Sequence, residues 1–258
     1  MRGRWDLNDK QWEAWEPILR PKRREDNRGR PWHDTRAVLN GVLWVLGSGA
    51  QWREPPERYP PYQTCHRRFQ QWVRTGKLEE ALRVLAHHLR ERGQLDLAEA
   101  FVDATFASAK KGALPSGQPR RGKGTKIITI ATGNSLPLAV AMDSASPAEC
   151  QLVESVLAES FLNELPEHLI GDKAYDSDKL DKQLQEEYGI EMIAPNRRKR
   201  SKTQDGRALR RYRGRWKVER LLAWLQHFRR LVTRWEYHAE NFLGFVRLGC
   251  LKPLLRCL

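Results

Sequence analysis

The chain has 258 residues, of which 30% are charged and 40% hydrophobic, and its formal net charge is +14. This composition argues against a disordered chain, and no apolar run reaches the roughly 18 residues of a membrane-spanning helix. The amino-terminal residues contain no apolar signal segment, and the four cysteines lack zinc-ligand spacing, so we expect a cytoplasmic protein without structural zinc or a disulfide framework. The excess of positive charge favours a polyanionic partner, most often nucleic acid, and a solvated basic surface is the alternative.

The first part of the chain, about residues 1–93, is predicted to be entirely helical. Asn8 or Asp9 can cap the first helix, and two glycines, Gly47 and Gly49, end the second. Charged or proline-rich loops separate the segments. Four helices with apolar residues at helical spacing are predicted here, at about residues 8–19, 34–46, 62–74 and 77–92.

The third helix, 62–74, has two distinct faces. Its inward face is apolar and consists of Tyr62, Cys65, Phe69, Trp72 and Val73. A second face carries glutamine and arginine, the side chains best shaped to read adenine and guanine edges in the major groove. This helix resembles the second helix of a helix-turn-helix, and an ordinary solvated face is the alternative. The candidate DNA contacts on it are Arg67, Gln70 and Arg74.

The second part, residues 94–258, combines strands and helices. Strands are predicted at about residues 100–106, 126–132, 137–142, 168–172 and 190–194. Helices are predicted at about 147–161, 177–188, 209–234 and 241–255, and basic loops at 110–124 and 197–202. Three consecutive strands followed by alternating helices and strands predict an α/β fold, a mixed sheet flanked by helices.

Three acidic residues occupy informative places in this second part. Asp103 lies inside the first strand, where burial of a carboxylate is costly unless it is paired or bound to a cation. Asp172 ends the fourth strand beside a glycine, a usual location for a site in α/β sheets. Glu219 lies in the long helix, at the edge of the apolar stripe that faces the sheet.

Carboxylate oxygens with open positions suit Mg²⁺ or Mn²⁺ better than zinc or copper. Two such ions about 3.5–4 Å apart can stabilise the attacking and leaving oxygens of a phosphodiester. Each acid also has a structural explanation. Asp103 can pair with a basic residue, Asp172 can cap the next turn, and Glu219 can pair with Arg215 or Arg220.

Several motifs across nearly the whole chain resemble the DDE transposases of bacterial insertion sequences, in the branch that groups insertion-sequence families four and five. The front part carries Leu7-x-Asp9-x-x-Trp12 and Tyr62-x-Thr64-x-x-x-Arg68-Phe69-x-x-Trp72. The second part carries Val102-Asp103-Ala104-Thr105, Gly122-x-Gly124-Thr125-Lys126-Ile127, Gly171-Asp172-Lys173-Ala174-Tyr175-Asp176-Ser177 and Tyr212-x-x-Arg215-x-x-x-Glu219.

This resemblance implies an RNase H-like catalytic domain at 94–258, preceded by a DNA-binding-like helical domain at 1–93. Asp103, Asp172 and Glu219 become the ligands of two Mg²⁺ ions, for which Mn²⁺ is a possible substitute. The implied activity is cleavage of double-stranded DNA at the element ends, followed by strand transfer to target DNA. A synapse of two ends implies at least a homodimer on DNA. The phosphate contacts implied are Tyr212, Arg215, Lys126, Arg197 and Arg198.

One departure from the family pattern concerns a lysine that would fall at position 226, where this chain has Gln226. Arg230 lies in the same helical sector as Glu219, and we predict that it takes over the phosphate contact. The spacing between 194 and 219 leaves no room for a β-rich insertion. Trp216, Trp224 and Trp235 can stack on an unpaired base, although core positions are more usual for tryptophan.

Two other functions stay open at this point. One is a metal-dependent nuclease of the same fold that cuts DNA without joining it. The other is a catalytically silent DNA-binding regulator descended from a transposase, against which the presence of all three acids argues.

Overall fold

The computed structural model describes residues 3–21, 31–110, 124–197 and 206–258, without the side chain of Arg207. Most of the predicted basic loop at 110–124 lies outside the described residues, as do Arg198 and the basic residues that follow it.

The front part consists of helices, as predicted. Asn8 caps the first: its side chain accepts from the Gln11 N–H at 2.8 Å, and the Gln11 side chain accepts from the Asn8 N–H at 3.1 Å. The single helix predicted at 8–19 is two short helices, because Pro17 lacks the N–H needed to continue the first. The helices are α1 (Asp9–Glu13), α2 (Glu16–Leu19), α3 (Thr35–Ser48), α4 (Tyr62–Arg74) and α5 (Lys77–Glu91).

Helix α3 forms the buried centre of the front part. Asp34 caps it by accepting from the Ala37 N–H at 2.7 Å, and Gly49 ends it with a φ of 73°. An extended connector, 49–61, leads to α4, and Gly76 (φ 67°) makes the tight turn from α4 to α5. The short connection therefore follows α4, whereas a helix-turn-helix places it before the recognition helix.

The described residues form one mixed sheet of six strands. Its order is β3-β2-β1-β4-β5, and β6 pairs with the far end of β1. Strand β2 is antiparallel to β1 and β3, whereas β4, β5 and β6 join in parallel. This is the predicted RNase H-like arrangement. The strands are β1 (Glu99–Ala109), β2 (Gly124–Thr132), β3 (Pro137–Ser144), β4 (His168–Ile170), β5 (Glu191–Ile193) and β6 (Thr233–Arg234).

Helices cover the sheet, but several are shorter than predicted. The helix predicted at 147–161 is a 3₁₀ turn followed by a short α6, and the one at 177–188 ends in a π-helical turn. None of the described helices is long and apolar enough to cross a membrane. The helices are α6 (Val153–Ala158), α7 (Asp178–Gln183), α8 (Gly206–Leu209), α9 (Trp216–Gln226), α10 (Arg229–Val232) and α11 (Ala239–Leu254).

The long helix predicted at 209–234 is interrupted twice. A 3₁₀ segment, Arg210–Arg215, precedes α9, and Phe228 adopts an extended conformation (φ −84°, ψ 100°) between α9 and α10. Phe228 is buried, with its ring 5.5 Å from that of Trp5, so tertiary packing fixes this break. The chain then returns to the sheet as β6.

One hydrophobic core runs through both parts of the chain. It contains residues of the front helices, of the sheet and of α11, from Leu7 to Leu255. Helix α11 packs on α5 and on β3, and its Arg247 pairs with Glu79 of α5 at 3.2 Å and with Glu159 at 2.8 Å. The front helices are therefore held to the sheet through the carboxyl-terminal helix.

Candidate active site

The register of the sheet places Asp103 beside Asp172. The last parallel pair between β1 and β4 joins Phe101 to Ile170. Continued for two more residues, the same register sets Asp103 opposite Asp172. Both acids therefore lie at the edge where the short β4 ends and β1 continues. The Asp103 side chain is 15% exposed, and that of Asp172 is 34% exposed.

Helix α9 brings Glu219 to the same edge. Val218 and Leu221 are fully buried in a cluster with Phe101, Ala131 and Ile170, and the helix packs mainly over β1 and β2. Glu219 follows Val218 directly and therefore points from the margin of this contact, with 55% of its side chain exposed. The sheet and the helix thus supply acids that are far apart in sequence to one place.

A single arginine contacts all three carboxylates. Its NH2 nitrogen lies 3.0 Å from Oδ2 of Asp103 and 2.9 Å from Oε1 of Glu219, and its NH1 nitrogen lies 3.9 Å from Oδ2 of Asp172. The arginine is Arg215. Oδ2 of Asp103 and Oε1 of Glu219 both contact the same nitrogen, so these two oxygens are themselves close together. The structure therefore brings the three predicted acids together around one cation.

Hydrogen bonds to the backbone orient both aspartates. Oδ1 of Asp103 accepts from the Ala104 N–H at 2.8 Å, and Oδ1 of Asp172 accepts from the Ala174 N–H at 2.7 Å. The Oδ2 atoms are left to face Arg215. Burial raises the pKa of the Asp103 carboxyl, and the Ala104 N–H and Arg215 act against that rise. Both structural explanations of these acids, the cap and the ion pair, are realised within the cluster itself.

Tyr212 extends the cluster through Arg215. Its hydroxyl accepts from NH1 of Arg215 at 3.3 Å. Burial acts to lower the pKa of Arg215, but Asp103, Tyr212 and Glu219 together raise it, so the guanidinium stays charged. The motif that links Tyr212, Arg215 and Glu219 at spacings of three and four thus forms one contiguous group.

The donor set suits a hard divalent cation, since it consists of carboxylate oxygens. No set of three or more His, Cys, Asp or Glu side chains within the described ranges stands close enough to hold a metal ion as it is. The guanidinium of Arg215 lies among the three free oxygens and supplies the positive charge there. It stands in for a cation, so a metal fits the acids only if Arg215 moves aside.

A fourth acid, which the sequence did not single out, lies near the cluster. Burial raises the pKa of Glu149, and the charges of Asp172 and Asp103 raise it further, whereas Lys126 lowers it. Nζ of Lys126 lies 3.8 Å from Oε1 of Glu149 and donates to the Pro147 carbonyl at 2.7 Å. The sequence predicts a helix at position 149, whereas the structure has a 3₁₀ turn there, and no spacing in the sequence distinguishes this acid.

The predicted DNA contacts fall into two groups. Arg67 and Arg74 are exposed and Gln70 is half-buried on α4, so that face is available. Lys126 is largely buried beside Glu149. Arg197 donates from Nε and NH2 to the carbonyls of Lys173 and Ala174, at 3.0 and 2.6 Å, and so braces the turn after Asp172. A DNA contact by any of these residues stays a prediction.

The placement of Arg230 in the sector of Glu219 is wrong. The break at Phe228 turns Arg230 away, and its guanidinium donates to Oε1 of Glu236 at 2.6 and 3.0 Å and to the Ala50 carbonyl at 3.1 Å. The Arg230 and Glu236 side chains are each only 7% exposed. Gln226, at the position of the family lysine, does face the site, because its Nε2 donates to Oγ1 of Thr105 at 3.2 Å.

The tryptophans of this region are not all core residues. Trp216 is 51% exposed and Trp235 is 48% exposed, so a core position is wrong for both. Trp224 is half-buried and packs at the margin of the hydrophobic cluster that α9 forms with the sheet through Val218 and Leu221.

Comparison with known proteins gives consistent matches. The family model described as "Transposase DDE domain" matches residues 96–251, and the one described as "Putative transposase of IS4/5 family" matches residues 7–82. The chain is 36% identical over 107 residues to the "Insertion element IS402 uncharacterized 16.2 kDa protein" of Burkholderia cepacia, covering 40% of this chain and 73% of the relative. It is 35% identical over 149 residues to the "Putative transposase for insertion sequence element IS402" of the same organism, covering 55% and 66%. Among solved structures, the "Crystal structure of the Mos1 Strand Transfer Complex" matches at a TM-score of 0.28 with 9% identity, over 80% of this chain and 82% of that chain.

Proposed function

Because the chain belongs to the family of transposases that carry a DDE domain, we propose that it cuts DNA at the ends of an insertion sequence and joins the freed strand to target DNA. The observation that carries this proposal is the convergence of three carboxylates on Arg215. Asp103 comes from the middle of β1, Asp172 from the end of β4 and Glu219 from α9, so the fold itself assembles the acids.

Once Arg215 has moved aside, Asp103, Asp172 and Glu219 would hold a pair of Mg²⁺ or Mn²⁺ ions. Such a pair would stabilise both the attacking and the leaving oxygens of a phosphodiester. The chain fixes the direction of the acids in advance. The backbone N–H groups of Ala104 and Ala174 hold the Oδ1 atoms, so each aspartate presents its other oxygen to the site.

Arg215 exchanges partners during the reaction. In the free protein its guanidinium balances the charge of the three acids. In the complex with DNA it turns to the phosphate beside the cut, where its planar fork of donors matches two phosphate oxygens. Tyr212 lies on the same side and guides this change, since its hydroxyl already accepts from NH1.

Double-stranded DNA is the proposed substrate, as element ends and as target. The exposed face of α4 with Arg67, Gln70 and Arg74 is the proposed reader of the duplex, because these side chains match base edges and phosphates. Each of the two ends is held by its own chain, which gives at least a dimer on DNA. The net charge of +14 supports binding of such a polyanion.

The test uses DNA that carries the sequences flanking the coding region. Glu219→Gln removes one charge and keeps the shape, so we expect cleavage to be lost while binding of the same DNA is largely retained. Glu91→Gln, at the exposed end of α5, is the matched control and should cleave normally. Cleavage by Glu219→Gln at the rate of the unaltered protein would rule out the assignment of this acid.

Two further outcomes separate the alternatives. Cleavage of uncut ends, together with failure to join ends that are supplied already cut, identifies a nuclease. Tight binding without any nicking in Mg²⁺ or Mn²⁺ identifies a silent regulator. Joining of the cut ends to a second duplex supports the transposase.

A further inference from the structure

The outer face of α9 carries a ladder of alternating tryptophan and arginine. The guanidinium carbon of Arg220 lies 4.8 Å from the ring centre of Trp216 and 5.2 Å from that of Trp224. Arg256, in the turn after α11, lies 5.8 Å from the other end of this stack at Trp224. Because positions 216, 220 and 224 are four residues apart, they share one face of the helix, about 12 Å long. We call these four residues the Trp–Arg ladder.

The ladder borders a cavity of about 410 Å³. Three aromatic side chains line it, Trp5, Trp224 and Phe228, and Arg4 lies with its guanidinium carbon 5.1 Å from the Trp5 ring centre. None of the described residues that line the cavity is acidic. A cavity of this size, with aromatic walls and cationic side chains, lies within the usual range of sites for flat organic groups, about 300–1,000 Å³.

The arginines of this surface differ from the arginines that pair with carboxylates elsewhere in the described chain. Within the described part of the chain, Arg4, Arg220 and Arg256 make no ion pair with a carboxylate. Each of these guanidinium groups lies against a tryptophan ring, and one NH2 donor of Arg220 goes to the Asn134 carbonyl at 3.4 Å. The other N–H donors can bind an anion. By contrast, carboxylates pair with Arg20, Arg36, Arg83, Arg90, Arg211, Arg230 and Arg247.

We propose that the Trp–Arg ladder and its cavity bind a single strand of DNA, with bases stacked on Trp216 and in the cavity beside Trp224, and phosphates bound by Arg4, Arg220 and Arg256. Aromatic rings interleaved with cations are the usual means of holding unpaired nucleotides. A second copy of this chain is a poor occupant, because it also carries a net charge of +14.

The inference rests on the proposed function only in taking DNA as the polyanion. Helix α9 bears both Glu219 and the ladder, and successive residues are about 100° apart around the axis. Arg220 therefore lies on the face next to that of Glu219. A strand that leaves the carboxylate site can continue over the ladder, which would hold it apart from its complement.

The experiment measures the binding of a labelled single-stranded oligonucleotide of mixed sequence by fluorescence anisotropy, in EDTA and over a series of salt concentrations. Trp216→Ala should weaken binding about ten-fold, the loss expected for one stacked base. Arg220→Gln and Arg256→Gln should each lower the slope of log affinity against log salt by about 0.7.

Matched controls lie elsewhere on the surface. Trp32→Ala removes a tryptophan of similar exposure beside Arg68 in the front part, and Arg92→Gln removes an exposed arginine at the end of α5. Neither should change single-strand affinity beyond two-fold. Thermal unfolding of every variant verifies that the fold is intact, which exposed positions allow.

Three outcomes overturn the inference. The first is that Trp216→Ala and Arg220→Gln bind no more weakly than their controls. The second is that they lose duplex and single-strand affinity equally. The third is that the unaltered chain shows no single-strand binding. Failure of the proposed function is seen separately. Glu219→Gln should bind the oligonucleotide as the unaltered protein does, and absence of DNA cleavage leaves the ladder result unchanged.

Discussion

Replacing Arg215 tests the arrangement of the three acids most directly. The substitution Arg215→Gln removes the guanidinium that, among the described residues, contacts Asp103, Asp172 and Glu219. The acids then face one another without a counter-charge. We expect a protein that is less stable without metal and that binds Mn²⁺ more tightly in the absence of DNA, because the competing cation is gone.

The magnitude follows from the distances. Unit charges 3–4 Å apart attract by about 4–6 kcal/mol each at an effective dielectric constant of about 20. Most of this is offset by desolvation of the arginine, and the pair with Glu219 is further screened because that side chain is 55% exposed. We therefore expect a loss of about 2–3 kcal/mol in the free energy of unfolding in EDTA.

Metal affinity moves in the opposite direction. In the unaltered protein, Mn²⁺ has to displace Arg215 from the three acids. If the loss of Arg215 removes about 1.4 kcal/mol of that cost, the dissociation constant for Mn²⁺ falls about ten-fold. Saturating Mn²⁺ then restores stability in Arg215→Gln by more than it adds to the unaltered protein, since a ligand stabilises the folded state in proportion to the logarithm of its concentration over its dissociation constant.

The assay is urea unfolding in EDTA and in excess Mn²⁺, with Mn²⁺ affinity measured independently by electron paramagnetic resonance. Arg211→Gln is the control, because Arg211 pairs with Glu99 at 2.9 Å on the same 3₁₀ segment but touches none of the three acids. It should lose little stability, equally with and without metal. The reasoning fails if Arg215→Gln binds Mn²⁺ no more tightly than the unaltered chain.

Three other substitutions give further checks. Glu236→Gln leaves the buried Arg230 without its counter-charge and should cost about 3–5 kcal/mol in urea unfolding; a smaller change than 1 kcal/mol would mean that the pair is not desolvated. Burial and the hydrogen bond to Asp6 raise the pKa of Tyr59 to about 12, so the folded state holds this proton more tightly and loses stability as pH rises from 10 towards 12. That fall should be shallower in Tyr59→Phe, and equal slopes would refute it. Gln226→Lys should steepen the salt dependence of duplex binding by about 0.9, unless position 226 lies away from the phosphates.

Strand patterns predicted the sheet and two of the acids well. Asp103 and Asp172 stand in or directly after short apolar, β-branched segments, and the parallel pairing of those segments makes the two positions neighbours. The apolar stripe places Glu219 at the edge of the sheet, and its spacing from Tyr212 and Arg215 belongs to the pattern by which the chain resembles the family. Local spacing works here because Arg215 and Glu219 are four residues apart, within one turn of helix.

Residues whose positions depend on tertiary packing were not predictable in this way. The sequence around Glu149 favours a helix, yet a 3₁₀ turn places this acid near Asp172. Nothing in the pattern separates it from other exposed acids. Likewise, a large apolar side chain such as that of Trp216 is expected in the core, and its exposure follows only from the orientation of α9 over the sheet.

Arg215 and Arg230 show over what length of chain side-chain directions can be predicted from helical periodicity. Arg215 precedes Glu219 by one turn, so the change from 3₁₀ to α-helix between them scarcely alters their relation. Arg230 lies beyond the extended Phe228, where the phase of α9 no longer applies, and it faces Glu236 instead. Since position 226 is glutamine, Arg215 is the cation that the described residues bring to all three acids. Under the proposed function, the same guanidinium serves the three carboxylates in the free chain and a phosphate in the DNA complex, so that metal binding is coupled to DNA binding.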